Sequence, residues 1–261
     1  MHRLRRLREA VIVSLRRILP IRLKRWLVEL SVSEEVAGNL YYHVGLLRKL
    51  GYEPDLVVDI GAYRGEWTQN VLRVFPDAHF LMVEPQDDKE TTLAGFASAH
   101  PNVTYRRALV GKESLEEVPF FQMETGSSIY EEETDVPRTL RRYAMTTLDQ
   151  LLAPFSANEV FLKLDVQGAE LDVLQGAPAT LQRCSFVLLE ASLLSYNRGA
   201  PPFSELIGYL SEMGFALFDV CDQRRKPDGT LFQLDLIFAR TASSVRKAVE
   251  FMRPSSSKVL T

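Results

Sequence analysis

The chain has 261 residues, 46% of them hydrophobic and 25% charged, with a formal net charge of −3. That is enough apolar material for a full core and too little charge bias for a disordered chain. No apolar run approaches the ~20 residues of a membrane span. The two cysteines, Cys184 and Cys221, lie far apart and have no metal-ligand spacing; they fit a reduced, cytoplasmic setting, with a single disulfide left open.

Charge is concentrated at the start. Residues 1–25 hold nine Lys/Arg against Glu9, whereas the remainder holds 22 basic and 33 acidic side chains. An enzyme acting on nucleic acid carries its basic footprint on the catalytic domain, and this domain is acidic. Within the basic segment, Leu4, Leu7, Val11, Leu15 and Ile18 recur at helical spacing up to Pro20. Three readings stand for such a helix: a cover over one edge of the domain, a face lying peripherally on an anionic membrane, or an Arg-rich targeting leader.

From Pro54 the chain alternates strand-like and helix-like segments. Val57, Val58 and Ile60 form a short apolar run, the mark of a strand covered on both faces. It runs into Gly61-Ala62-Tyr63-Arg64-Gly65, where two glycines permit a tight turn and close approach of a ligand. In an open parallel sheet such a turn sits at the carboxyl end of a strand, where ligands bind. Asp59, just before the first glycine, repels a phosphate but suits a ligand carrying an ammonium and a sulfonium. The simplest such ligand is S-adenosylmethionine.

Glu66–Phe75 has helical content, and His79–Val83 is a second apolar strand closed by Glu84-Pro85. Glu84 follows Asp59 by 25 residues, where nucleoside-binding α/β folds keep an acid for the ribose hydroxyls. A dinucleotide oxidoreductase shares that acid, but its first turn needs a third glycine that this one lacks. Asp87–Ala99 reads as a helix and Val103–Val110 as a third strand. Val118–Met123 reads as an extra strand followed by an acidic, serine-containing loop. Thr147-Leu148-Asp149 opens a short helix through Leu152, with Thr147 or Asp149 as its cap.

Glu159–Val166 reads as the fourth core strand and Gly168–Gly176 as the helix after it. Phe186–Glu190 is a fifth strand, and Phe203–Met213 a helix stopped by Gly214. Phe215–Val220 and Leu231–Ala239 close the pattern as a hairpin. Alternating β and α units predict a mostly parallel seven-stranded sheet with helices on both faces, a Rossmann-like class I arrangement with one antiparallel strand.

On the fourth strand Phe161, Lys163 and Asp165 fall on one side and Leu162, Leu164 and Val166 on the other. Two charges in a central strand are costly to bury unless paired. They read either as a structural ion pair or, from their place at the ligand edge, as functional groups.

The runs Val57-Val58-Asp59-Ile60-Gly61-Ala62-Tyr63-Arg64-Gly65, Val83-Glu84-Pro85, Thr147-Leu148-Asp149 and the long Phe161–Ala177 stretch resemble the FkbM family of methyltransferases. So do the Glu190 strand end, Gly214-Phe215 and Asp235-Leu236-Ile237-Phe238, so that the resemblance spans about residues 54–240. It implies a catalytic domain over 54–240, preceded by a basic amphipathic helical segment (1–53) and followed by a C-terminal helix and loose tail (241–261). It also implies S-adenosylmethionine-dependent methylation, typically of a hydroxyl on a sugar, glycolipid or polyketide-like acceptor. Tyr63 stands where the family more often has asparagine, and Gln167 where it often has glutamate. Those two departures motivate the alternative of a non-catalytic nucleoside-binding module.

In this reading Asp59, Gly61, Ala62, Tyr63, Gly65 and Glu84 hold the cofactor. An aliphatic hydroxyl is a poor nucleophile and benefits from a base that takes its proton during transfer; Asp165 is the first choice, with Lys163 orienting it or bonding an acceptor oxygen. Glu170, Glu190 and Asp149 are weaker candidates. Asp165 and Glu190 also suit a divalent cation as residue types, but no ligand spacing supports one. His2, His43, His79 and His100 lie outside all the motifs. Gly126-Ser127-Ser128 is either a closing loop or a solvated one. Trp67 and Phe75 are expected in the core rather than against adenine.

Overall fold

Apolar, β-branched runs too short for helices become the strands of one sheet, and the segments between them fold back over its faces. The computed structural model describes residues 40–194 and 196–246. The basic helix expected over residues 1–25 and most of the C-terminal tail lie outside the described residues.

The elements follow in order as α1 (Leu40–Lys49), β1 (Leu56–Ile60), α2 (Glu66–Val71), β2 (His79–Val83), α3 (Glu90–Ala99), β3 (Val103–Arg106), β4 (Leu109–Val110), β5 (Leu115–Gln122), β6 (Glu131–Glu132) and β7 (Thr139–Thr146). Then come α4 (Leu148–Leu152), β8 (Val160–Leu164), α5 (Glu170–Gln175), α6 (Pro178–Gln182), β9 (Cys184–Ser192), β10 (Asn197–Arg198), α7 (Phe203–Glu212), β11 (Phe215–Arg225) and β12 (Leu231–Arg240).

The main sheet has seven strands in the order β11-β12-β9-β8-β1-β2-β3. β1, β2, β3, β8 and β9 run parallel, and β12 is antiparallel to both of its neighbours, β9 and β11. This is the expected Rossmann-like class I arrangement, with the single reversed strand supplied by the closing hairpin. Alternation along each strand divides the core into two layers. Leu56, Val58, Ile60, Leu162 and Leu164 pack with Leu148, Leu171, Val173, Leu181 and Leu206, which come from the helices after β7. Val57 and Phe161 pack with Val44, Leu47, Trp67, Val71 and Leu93 from α1–α3. The second layer is aromatic: Tyr52 meets Phe75, Phe161 and Phe186 edge-on, with ring centroids 5.9, 6.0 and 4.7 Å apart. Trp67 and Phe75 are therefore core residues, as expected.

The small sheets depart furthest from the sequence reading. The third strand ends at Arg106, and Leu109–Val110 leaves the main sheet to join a small one of order β4-β7-β5. β7 itself, Thr-Leu-Arg-Arg-Tyr-Ala-Met-Thr, was expected as loop. Its outer residues are exposed, so it lacks the apolar alternation that marks a strand, and its pairing with β5 comes from tertiary contact. Thr147 caps α4 through its side chain, which accepts from the Gln150 amide at 3.2 Å. Cys184 and Cys221 are both buried free thiols. Among the described residues no helix is long and apolar enough to cross a membrane.

Candidate active site

Register places the charged residues of the central strands together. Asp59 of β1 is directly opposite Lys163 of β8, and both point into the α1–α3 layer. Asp59 is fully enclosed. Its Oδ2 accepts from Thr68 Oγ1 at 2.7 Å, and its Oδ1 forms an ion pair with Lys163 Nζ at 2.9 Å. Lys163 also donates to the Gly61 carbonyl at 2.9 Å, stands 3.7 Å from Asp165 Oδ2 and lies over the Trp67 ring at 5.9 Å. Burial disfavours its charge, but Asp59 and then Asp165 outweigh that and push its pKa up. Lys163 therefore stays a cation.

Both oxygens of the Asp59 carboxylate are engaged inside the protein, and Asp59 is not among the residues that line the cavity at the sheet edge. Ala62 is likewise buried, its amide bonded to the Val83 carbonyl at 3.0 Å. The glycines also serve the chain itself. A Cβ on Gly61, whose φ is +74°, would lie 1.9 Å from the Asp165 carbonyl oxygen. One on Gly65, at φ +80°, would press on Leu93 and Met82. The turn is tight because β8 runs against it.

The remaining candidates meet at the carboxyl edge. Gly61, Tyr63, Glu84, Asp165 and Gln167 all line one cavity of about 120 Å³. Its apolar wall is built by Pro85, Leu109, Val110, Phe120 and Ile129, so the small sheet, whose β7 the sequence does not mark, supplies much of it. Glu84 is buried, with one oxygen accepting the Tyr63 amide at 2.9 Å and the other the Gln86 amide at 3.1 Å. Burial pushes its pKa up, and those two amides oppose the shift. Each oxygen keeps a further lone pair for a hydroxyl. A buried acid beside an apolar wall fits the ribose and adenine of S-adenosylmethionine, and Glu84, Tyr63 and Gly61 are the residues that would hold it.

Thr125, Ser127 and Ser128 lie over the same cavity. The loop is held at Glu124, whose Oε2 accepts from Tyr63 Oη at 2.5 Å and stands 3.5 Å from both Lys89 Nζ and Arg64 Nη2. Lys89 lies 4.7 Å from the Tyr63 ring centroid. Tyr63 takes a left-handed backbone conformation, φ 49°, and its hydroxyl ties the ring to the loop at Glu124. Tyr63→Phe removes the hydroxyl bond, and S-adenosylmethionine is expected to bind about two- to tenfold more weakly with faster release. Calorimetry and stopped-flow dissociation measure both; unchanged release would leave the loop without a latch.

Asp165 is the half-exposed carboxylate of the edge. Its side chain is 38% accessible, and Oδ1 accepts from Gln167 Nε2 at 2.8 Å. The same Nε2 donates to Glu190 Oε1 at 2.6 Å. Burial, with Asp165 next to it, pushes Glu190 up to about 8. Glu170 is turned inward to accept the Val166 and Gly168 amides, each at 3.0 Å, and burial raises it to about 7. Asp149 accepts the Ala179 and Thr180 amides at the start of α6. Among the described residues no group of His, Cys, Asp and Glu is arranged to hold a metal ion. Thr68, Glu124 and the bridging geometry of Gln167 escaped the sequence reading, since a threonine in a helix and a glutamate in an acidic loop carry no local signal.

The family model for the methyltransferase FkbM domain matches residues 59–217. Among solved structures, precorrin-6y C5,15-methyltransferase from Geobacter metallireducens is 13% identical, with TM-score 0.44 over 79% of this chain and 91% of that one. Ribosomal protein L11 methylase from Lactobacillus delbrueckii is 13% identical, with TM-score 0.41 over 77% and 76%. An O-methyltransferase family protein from Burkholderia thailandensis is 12% identical, with TM-score 0.40 over 77% and 55%. No curated protein sequence matches. With most of the core and every residue of the cavity floor inside the matched span, the chain belongs to the FkbM family of S-adenosylmethionine-dependent methyltransferases.

Proposed function

We propose that the protein methylates a hydroxyl group on a sugar, glycolipid or polyketide-like acceptor, with Asp165 as the base. The observation that carries this reading is the Asp165 carboxylate itself. It lies in the wall of the cofactor cavity, partly open to solvent, with Gln167 fixing one oxygen and Lys163 beside the other. When bound, S-adenosylmethionine supplies a methyl group on a cationic sulfur.

Asp165 Oδ2, which Gln167 leaves free, receives the hydroxyl proton. Lys163, held by Asp59 and the Gly61 carbonyl, stands 3.7 Å from that carboxylate and helps keep it in place. Alignment supplies much of the remaining rate, and the Glu124–Ser128 loop, latched by Tyr63, excludes water from the cavity. Phe120 of β5 and Ile129 of the loop after it form part of the cavity wall and bear on acceptor choice.

The test is transfer of label from methyl-tritiated S-adenosylmethionine to a panel of glycans, glycolipids and hydroxylated polyketides. Label in the acceptor fraction, as a base-stable ether, supports the reading. Cofactor binding without transfer to any acceptor supports a non-catalytic nucleoside-binding module instead.

A further inference from the structure

Two carboxylates set side by side at the edge of a buried site repel unless a proton, a cation or a hydrogen-bond donor separates them. Neighbouring parallel strands β8 and β9, paired through Leu164 and Leu189, bring Asp165 and Glu190 to this position. The group between them is the Gln167 amide, which donates to Asp165 Oδ1 at 2.8 Å and to Glu190 Oε1 at 2.6 Å. An amide nitrogen has two hydrogens and no charge, so it makes both bonds without titrating. Its backbone is fixed as well. Gln167 is left-handed at φ 54°, and its carbonyl accepts from Asn197 Nδ2 of β10 at 2.6 Å. Such a conformation is strained for a non-glycine residue and persists only where its surroundings hold it.

We propose that Gln167 is a positioning residue that ties Asp165 and Glu190 into one acid–base pair, able to take up the acceptor proton without a bridging metal cation. This inference rests on Asp165 being the base. Asp165 Oδ2 takes the proton as the acceptor oxygen gains its methyl group and the bond from that methyl to sulfur breaks. The negative charge of the carboxylate and the positive charge of the sulfonium disappear together, so nothing further is needed for balance.

The charges around the pair are mixed. Lys163 faces Asp165 from β8, with Asp59 of β1 behind it. Arg224 of β11 stands 3.7 Å from Glu190 Oε2, and Asp235 of β12 is opposite Glu190 in the sheet. Glu170 of α5 and Asp222 of β11 complete the set. Burial and the neighbouring Asp165, Glu170 and Asp235 charges give Glu190 a midpoint of about 8. That upward shift favours the neutral form of Glu190 and eases its repulsion with Asp165.

The experiment is a carboxyl carbon-13 NMR titration of the full, labelled chain, with the Glu190 signal assigned by its loss in Glu190→Gln. The wild-type midpoint is expected near 8. Asp165→Asn removes the like charge and should lower the Glu190 midpoint by about one pH unit, and Gln167→Met removes the donor and should raise it by about as much. Adding magnesium to the wild type should leave the signal unmoved. A Glu190 midpoint indifferent to both substitutions overturns the pair, and a magnesium-dependent shift overturns the metal-free bridge. If Gln167→Met does not fold, Asp165→Asn alone still decides whether the two carboxylates sense each other. Failure of the underlying base assignment shows elsewhere, as methyl transfer that survives Asp165→Asn.

Discussion

Asp59→Ala is expected to lower the unfolding free energy by about 3 kcal/mol or more. The reason is the cation it abandons. Lys163 has a side chain only 7% accessible, and Asp59 is its closest carboxylate. Deleting one member of a buried ion pair typically costs about 3–5 kcal/mol, because the other charge stays in the interior uncompensated. The Gly61 carbonyl at 2.9 Å and the more distant Asp165 remain to Lys163, which favours the lower end of that range. Thr68 also loses the partner it holds at 2.7 Å. Asp59→Asn keeps the shape and the Thr68 bond but loses the charge, so it should fall between the wild type and alanine. Urea unfolding of the three proteins measures the series. Full stability in Asp59→Ala with a selective loss of cofactor affinity would return Asp59 to the ligand and contradict the buried geometry.

Asp165→Asn is expected to reduce methyl transfer by about 10²–10⁴-fold, the usual contribution of a positioned base. Asparagine is nearly the same shape and its carbonyl can still accept from Gln167, so the edge should keep its geometry. Lys163 retains Asp59. The comparison to make is single-turnover transfer against cofactor affinity. Loss of turnover with affinity changed less than a few-fold supports the base. Loss of affinity with little change in single-turnover rate at saturating cofactor would show that Asp165 holds the cofactor's ammonium group, the part first assigned to Asp59. Either outcome separates the two roles open to the carboxylate in this cavity.

Much of this was legible before folding was considered. Short apolar runs punctuated by glycine and proline marked the strands of the main sheet, and β1 and β8, buried on both faces, are apolar apart from the paired Asp59 and Lys163. Glu84 was legible for a related reason, as an acid at the end of such a strand. The small sheet was not legible in full, since β7 is solvated along most of its length and earns its pairing only from β5 and β4. That matters for function, because Leu109, Val110 and Phe120 build the apolar wall of the cavity. Gln167 was visible as a departure from the family's usual glutamate, but its meaning depends on Glu190, 23 residues away and on the next strand.

By itself the sequence determined the succession of main-sheet strands, the parallel sheet and the edge at which ligands bind, since these follow from hydrophobic periodicity and local turn chemistry. It also narrowed the chemistry to a set of carboxylates at that edge. Tertiary structure alone decided which of them faces the cavity. Asp59 and Asp165 differ little as residues, yet strand register places the first against a buried lysine and leaves the second open to solvent and ligand. Direction, burial and charge partner are properties of packed neighbours, and those neighbours are distant in the chain.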